Sequence, residues 1–156
     1  MKYLFLMIVA CMSALVSSAS SCSKKEGAIT TENENAMTMT NGKIKIKVNA
    51  HTFTATLLDN NSAKAFRDIL PLTINMVELN GNEKYYDLPN ALPTASSNPG
   101  TIKNGDLMLY GSETLVLFYK TFATSYSYTK LGAIDDVTGL TSALGSGNVT
   151  VTFEVE

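Results

Sequence analysis

Residues 105–134 read GDLMLYGSETLVLFYKTFATSYSYTKLGAI and decide the fold. The stretch contains two apolar segments around a tight turn, then a tyrosine-rich loop, and then a third apolar segment. Residues 107–110 and 114–119 are apolar on both faces, which is typical of central strands that are covered on each side. We therefore predict that these two strands have the core on one side and a helix on the other.

The flanking segments extend the same β pattern over residues 43–156. Residues 43–48 alternate charged and aliphatic side chains, as a half-buried strand does. Asn80-Gly81 is a strong two-residue hairpin signal. Two short helices are predicted, one capped by Asn60 or Asn61 and one that starts at Asp135-Asp136. Strands are predicted at 43–48, 51–58, 72–79, 83–88, 107–110, 114–119, 131–134 and 148–156. Seven or eight short strands with two small helices favour closure into an antiparallel barrel.

The N-terminus has the three-part pattern of a secretory signal. Lys2 is followed by an almost continuously apolar run over residues 3–16 and a small, polar run over residues 17–21. The apolar run is too short for a spanning helix. The three-part pattern ends at Ala19-Ser20-Ser21-Cys22, which resembles a bacterial lipoprotein cleavage box with Cys22 as the lipid acceptor. The alternative is an ordinary signal peptide followed by an incidental cysteine.

Residues 23–42 predict a flexible tether between this signal, 1–22, and the domain at 43–156. They carry charge, Thr and Asn and almost no large apolar side chains, so they cannot bury enough surface to fold. A lipid on Cys22 would hold the protein to a bacterial membrane without spanning it. Some bacteria export lipoproteins to the cell surface by means of an acidic cluster directly after the lipidated cysteine. In this chain Lys24 and Lys25 stand at that position instead. We therefore expect a cell-envelope protein that faces the periplasm.

Composition excludes several classes of function. The net charge of −2 and a single arginine, Arg67, do not fit a nucleic-acid partner, which requires a basic face. Cys11 and Cys22 are the only cysteines, so the domain has neither a disulfide framework nor a cysteine-based zinc site. The only histidine, His51, is interpreted as a solvated hairpin residue, and Asp135-Asp136 as a helix cap. No metal and no cofactor are expected.

Residues 43–153 contain a series of short motifs in a fixed order. They are Pro71-Leu72-Thr73, Asn80-Gly81-Asn82-Glu83-Lys84-Tyr85, Leu88-Pro89, Pro99-Gly100, Gly105-Asp106-Leu107 and the segments 115–119 and 125–134. Taken jointly and in order, these motifs are similar to those of the small bacterial cyclophilin-like family. The resemblance implies a closed, antiparallel, eight-stranded β-barrel with two short flanking helices.

The parent cyclophilins are peptidyl-prolyl isomerases, and the resemblance raises that activity as a hypothesis. Such a site needs a donor near the proline nitrogen and a pocket for its ring, which cyclophilins provide with a groove arginine, a glutamine, a histidine and aromatic residues. Here Arg67 falls on a predicted helix, His51 falls in the first hairpin, and glutamine and tryptophan are absent from the chain. Aligning Leu131-Gly132 with the family's pattern puts Tyr128 at the histidine position. We assign no catalytic residue and do not expect efficient catalysis.

The tyrosine-rich loop is the strongest candidate for a binding site. Tyr126 and Tyr128 alternate with Ser125 and Ser127, so an extended loop would place both rings on one side. Aromatic rings with hydroxyl tips suit a shallow pocket for a peptide or small molecule. The candidate ligand-binding residues, which we expect around one end of the barrel, are Tyr110, Phe118, Ser125, Tyr126, Ser127, Tyr128, Leu88 and Pro89.

Two functions follow from these patterns. The first is a non-catalytic ligand- or protein-binding module, and the second is a weak peptidyl-prolyl cis-trans isomerase. In the alternative interpretation of the tyrosines, they complete the core and its rim and bind nothing.

Overall fold

The computed structural model describes residues 42–156. The predicted signal segment, Cys22 and almost all of the predicted tether lie outside the described residues. The described region has ten strands: β1 Lys43–Val48, β2 His51–Leu57, β3 Leu72–Leu79, β4 Glu83–Asp87, β5 Thr101–Ile102, β6 Asp106–Tyr110, β7 Thr114–Phe118, β8 Phe122–Ala123, β9 Thr129–Ile134 and β10 Val149–Val155. Its two helices are α1 Asn61–Asp68 and α2 Leu140–Leu144.

Eight of these strands form a closed antiparallel barrel in the order β1-β10-β3-β4-β7-β6-β9-β2. This confirms the predicted mainly β, eight-stranded barrel. The two remaining strands, β5 and β8, pair with each other in a small separate sheet. The predicted β-turn forms, since Asn80 and Gly81 adopt φ values of 55° and 67° and the Asn82 N–H donates to the Leu79 carbonyl at 3.3 Å. The hairpin loop is one residue longer than the predicted two, because Leu79 pairs with Glu83.

The barrel interior is a packed core. Alternate residues of each strand point inward, as in Ile44, Ile46 and Val48 of β1, which are fully buried. Phe66 of α1 packs edge-on against Phe153 of β10, with 5.6 Å between ring centroids. Side chains therefore fill the interior, as expected for a barrel of eight strands.

The two helices cover opposite ends of the barrel. Helix α1 connects β2 to β3, and the Asn60 side chain caps it by accepting a hydrogen bond from the Ala63 N–H at 2.8 Å. Helix α2 connects β9 to β10 and buries Leu140, Ala143 and Leu144 in the main core. These helices have eight and five residues, and within residues 42–156 no helix is long and apolar enough to cross a bilayer.

The prediction that a helix covers the outside of β6 and β7 is wrong. Their outward side chains, Met108, Val116 and Phe118, form a second buried cluster with Ile102 and Tyr128. Phe118 packs against the Phe122 ring at 5.8 Å and the Tyr128 ring at 5.5 Å. The small β5–β8 sheet and the tyrosine-rich loop fold back over these strands, so they bury the outer face in place of a helix.

Candidate functional site

A groove of about 320 Å³ lies on the outer face of the barrel, over β4, β7 and β6. Four tyrosines from three different segments line it, and we call it the tyrosine groove: Tyr85, Tyr110, Tyr126 and Tyr128. Leu79 and Val116 add apolar surface, and Glu83 and Asp87 add carboxylates. The groove is therefore on the side of the barrel, and the expectation that the tyrosines surround one of its ends is wrong.

Three of the tyrosine rings form a connected set with mixed exposure. Tyr128 is only 8% exposed, whereas Tyr110 is 49% and Tyr126 is 62% exposed. The Tyr110 ring lies 5.6 Å from that of Tyr128 and 6.2 Å from that of Tyr126, the latter pair almost perpendicular at 89°. Tyr128 thus anchors the set in the outer cluster, while the other two rings present their surfaces to solvent.

The proline-rich loop that follows β4 holds the tyrosine loop in place. Ser97 and Tyr128 exchange two backbone hydrogen bonds, each of 3.0 Å. The Ala95 N–H donates to the Thr129 hydroxyl at 3.0 Å, and the Asn98 amide donates to the Ser125 carbonyl at 3.1 Å. The loop over residues 89–100 therefore supports the groove through backbone groups and through the Asn98 side chain.

Two carboxylates lie beside the rings because β4 alternates its side chains. Glu83, Tyr85 and Asp87 point outward, and the residues between them point inward. Asp87 accepts a hydrogen bond from the Thr114 hydroxyl at 2.7 Å. Glu83 is only 9% exposed, and burial, together with the charge of Glu78, raises the pKa of its carboxyl above the ordinary value. No hydrogen bond from residues 42–156 offsets this effect.

The Glu83 carboxylate also affects the anchoring tyrosine. Burial, and then the charge of Glu83, raise the pKa of the Tyr128 hydroxyl above its ordinary value. Both groups therefore hold their protons more tightly than they would in water. Ionisation of these two groups is therefore disfavoured in the groove.

The predicted site residues divide into three groups. Tyr110, Tyr126 and Tyr128 line the groove, and Phe118 lies beneath it in the outer cluster. Ser125 and Ser127 are exposed on the tyrosine loop but do not line the groove. Leu88 is 4% exposed and packs in the main core, and the neighbouring Pro89 is exposed outside the groove.

Sequence reasoning missed the contribution of β4 and the turn before it. Glu83, Asp87, Leu79 and Tyr85 are not among the candidates that the sequence analysis names for the site. The alternation within EKYYD does separate Glu83, Tyr85 and Asp87 from the two residues between them. No local signal reveals that β4 pairs with β7, which places Tyr85 opposite Val116.

The inward residues of β4 build a second polar cluster, at the end of the barrel covered by α2. Lys84 has no exposed surface, and its ammonium group pairs with Glu78. It also donates to the carbonyls of Gly145 and Gly147 at 2.9 and 2.6 Å. Tyr119 completes this lysine network, because its hydroxyl donates to the Glu78 carboxylate at 2.7 Å and its ring lies 5.3 Å from the Lys84 ammonium.

Titration of the lysine network reflects this pairing. Burial alone raises the pKa of Glu78, but hydrogen bonds from Lys84 and Tyr119 outweigh it and hold that pKa below the ordinary value. Burial and the hydrogen bond to Glu78 raise the pKa of Tyr119 to about 12. The network is thus a charged pair whose donors and acceptors find partners.

The remaining chemistry-bearing residues lie away from the groove. His51 is exposed at the start of β2, beside Asp135 and Asp136. The interpretation of these aspartates as a helix cap is wrong, since α2 begins at Leu140 and its N-cap is Gly139. Asp135 instead pairs with Lys43 at 2.6 Å. Within residues 42–156, no group of three or more His, Cys, Asp or Glu side chains could hold a metal ion.

The position of Arg67 bears on the isomerase hypothesis. Arg67 lies in the last turn of α1, the helix that covers one end of the barrel. The groove is on the outer face of β4, β7 and β6, and Arg67 does not line it. The only arginine of the chain is therefore not a groove arginine.

Comparison with known proteins agrees with this architecture. The family model of the Cyclophilin-like family matches residues 46–154, and the chain belongs to that family. A hypothetical protein from Archaeoglobus fulgidus, known from its solution structure, has a similar fold with a TM-score of 0.58. The two share 16% identity over 74% of this chain and 95% of the archaeal one. None of the curated proteins matches this chain.

Proposed function

We propose that this protein is a non-catalytic binding module whose tyrosine groove receives a peptide or a small molecule. The observation that carries the proposal is the convergence of the Tyr110, Tyr126 and Tyr128 rings in one groove of about 320 Å³. Two of these rings are about half exposed or more, although Val116 beside them is only 3% exposed. Large aromatic surfaces held on a rigid scaffold are typical of recognition sites.

The groove is also well supported, which favours binding without large rearrangement. Tyr128 is fixed by packing on Phe118 and by its two backbone hydrogen bonds to Ser97. The strands below it belong to the closed barrel. A ligand would therefore lose little free energy to ordering of the protein.

The isomerase alternative gains no specific support from the groove. The groove's polar side chains are carboxylates, hydroxyls and one amide, with neither Lys nor Arg among its lining residues. The hydroxyls and the amide are neutral donors, and the arginine that cyclophilins direct at the proline nitrogen has no counterpart among them. We therefore propose binding and not isomerisation, and a protease-coupled peptide assay with the full-length protein is expected to show no acceleration.

We further propose that the module is anchored in the bacterial cell envelope by a lipid on Cys22 and faces the periplasm. The support is the sequence pattern around Ala19-Ser20-Ser21-Cys22 and the composition of residues 23–42. Labelling of growing cells with palmitate tests the anchor. Label is expected on the wild type and on Cys11→Ser but not on Cys22→Ser. Label on Cys22→Ser would contradict the proposed site.

Affinity selection with a mass-spectrometric readout tests the binding function. The full-length protein is exposed to a mixed peptide and metabolite library, in parallel with Tyr126→Ala and with Leu58→Ala. Leu58 is 44% exposed outside the groove, so its variant is a matched loss of exposed apolar surface. Ligands retained by the wild type and Leu58→Ala, but lost from Tyr126→Ala, are expected. Equal retention by all three proteins would overturn the groove as the binding site.

A further inference from the structure

The charge of the tyrosine groove is entirely negative. Its lining includes Glu83 and Asp87, and neither Lys nor Arg is among the lining residues. Asp87 is engaged by the Thr114 hydroxyl. Glu83 is more than nine-tenths buried, faces the groove, and receives neither a hydrogen bond nor an ion pair from residues 42–156. The Glu83 carboxylate oxygens still reach solvent at the groove. Because most of the side chain is buried and the protein supplies no partner, a cation that enters the groove would be favoured there.

The second observation is the arrangement of the aromatic rings. The Tyr110 and Tyr126 rings stand almost perpendicular at a centroid distance of 6.2 Å, and Tyr110 is tilted by 53° to Tyr128. Rings at such angles present π faces and edges in different directions around one space. The π face of a tyrosine carries partial negative charge and attracts cations, and several faces around one site form an aromatic cage for ammonium groups.

We propose that the tyrosine groove recognises an organic ammonium cation, held by the faces of Tyr110 and Tyr126 and neutralised by Glu83. This inference rests on the proposed binding function and names the chemistry of its ligand. The apolar walls of Leu79 and Val116 suit the alkyl groups of such a cation. A free ammonium compound and the ammonium of a peptide lysine share this chemistry.

Titration of the full-length protein with choline tests the charge requirement. The chain contains no Trp, so its tyrosine fluorescence is free of tryptophan emission. The control ligand is the neutral isostere of choline in which a carbon atom replaces the nitrogen, at the same ionic strength. Choline is expected to bind and the isostere to bind at least about tenfold more weakly.

Two variants and their controls test the named residues. Glu83→Gln is expected to weaken choline binding about tenfold or more, and Glu113→Gln, an exposed carboxylate outside the groove, to leave it unchanged. Tyr126→Ala is expected to weaken it about three- to fivefold, and Tyr126→Phe to retain it, because the phenyl ring keeps its π face. Equal affinities of wild type and Glu83→Gln for choline would overturn the role of Glu83.

A second arm identifies the source of the cation. A blocked lysine tripeptide is compared with its form acetylated on the side chain. Tighter binding of the lysine peptide than of choline indicates a peptide partner, and the reverse indicates a free ammonium compound. If neither cation binds, or if the neutral isostere binds as tightly as choline, the cation inference fails. The binding function then stands if the library selection yields neutral or anionic groove ligands, and it fails as well if that selection yields none.

Discussion

Glu83 and Lys84 are neighbours on β4, yet they belong to two regions with opposite character. Lys84 points into the barrel, where the lysine network provides its ammonium group with a carboxylate and two carbonyls. Glu83 points outward into the tyrosine groove, where no protein donor within residues 42–156 meets it. Both side chains are at least nine-tenths buried. The difference shows that two neighbouring buried residues of one strand can differ in whether the protein supplies their polar partners.

The largest effect on stability is expected when the lysine network is disrupted. Lys84→Met would leave Glu78 and the carbonyls of Gly145 and Gly147 without their donor, so we expect a loss of about 3–5 kcal/mol in the free energy of unfolding. Urea denaturation measures it. The matched control is Lys120→Met, an exposed lysine beside the same network, with an expected change within about 0.5 kcal/mol. A loss of less than about 1 kcal/mol in Lys84→Met would mean that the network does not stabilise the fold.

The next effect concerns the hydroxyl that completes the lysine network. Tyr119→Phe removes a hydrogen bond to the Glu78 carboxylate, so a loss of about 1.5–3 kcal/mol is expected at neutral pH. The lowered pKa of Glu78 means that its contribution is present above 4.5 and is lost as the pH falls through the folded-state pKa. The deficit of Tyr119→Phe should therefore shrink in acid. A deficit that is independent of pH would show that the hydroxyl acts on another group.

Local sequence signals predicted the first half of the barrel well. The predicted strand over residues 43–48 agrees with β1, and 72–79 agrees with β3, because alternation and the Asn80-Gly81 turn are properties of neighbouring residues. The element that covers the outer face of β6 and β7 could not be predicted in this way. That face is covered by the tyrosine loop and the β5–β8 sheet, which fold back over the two strands. A strand whose two faces are both apolar indicates that both are buried, but not which element buries each of them.

The same limit applies to the candidate site. The tyrosine loop itself is visible in the sequence. Its neighbours on β4 are distant from it in sequence, and only strand pairing and packing bring them next to the loop. Leu88 follows β4 and continues its alternation inward, so it packs in the core although it precedes a proline in a predicted loop. Glu83 is a typical surface residue by type, and only the packing around it reveals that it is buried.

A smaller effect on the free energy of unfolding, of opposite sign, is expected for a substitution in the tyrosine groove. Glu83→Gln should raise the free energy of unfolding at neutral pH by about 0.5–2 kcal/mol, because it removes a buried charge that has no protein partner. The raised pKa of Glu83 means that its favourable contribution is present below 4.5 and is lost as the pH rises through the folded-state pKa. The advantage of the variant should therefore vanish in acid. Glu113→Gln serves as the exposed control, and a destabilised Glu83→Gln would show that the carboxylate is already satisfied.

The smallest effect on stability is expected at the ring that is most exposed. Tyr126 is 62% exposed, so Tyr126→Ala should change the free energy of unfolding by no more than about 0.5 kcal/mol. The same substitution at Tyr128, which is 8% exposed and packs on Phe118, should cost several times more because it opens a cavity in the outer cluster. Thermal unfolding of the two variants measures the contrast. Nearly equal losses would mean that Tyr126 stabilises the barrel, and the groove would then lose its best evidence for a surface kept exposed for a ligand.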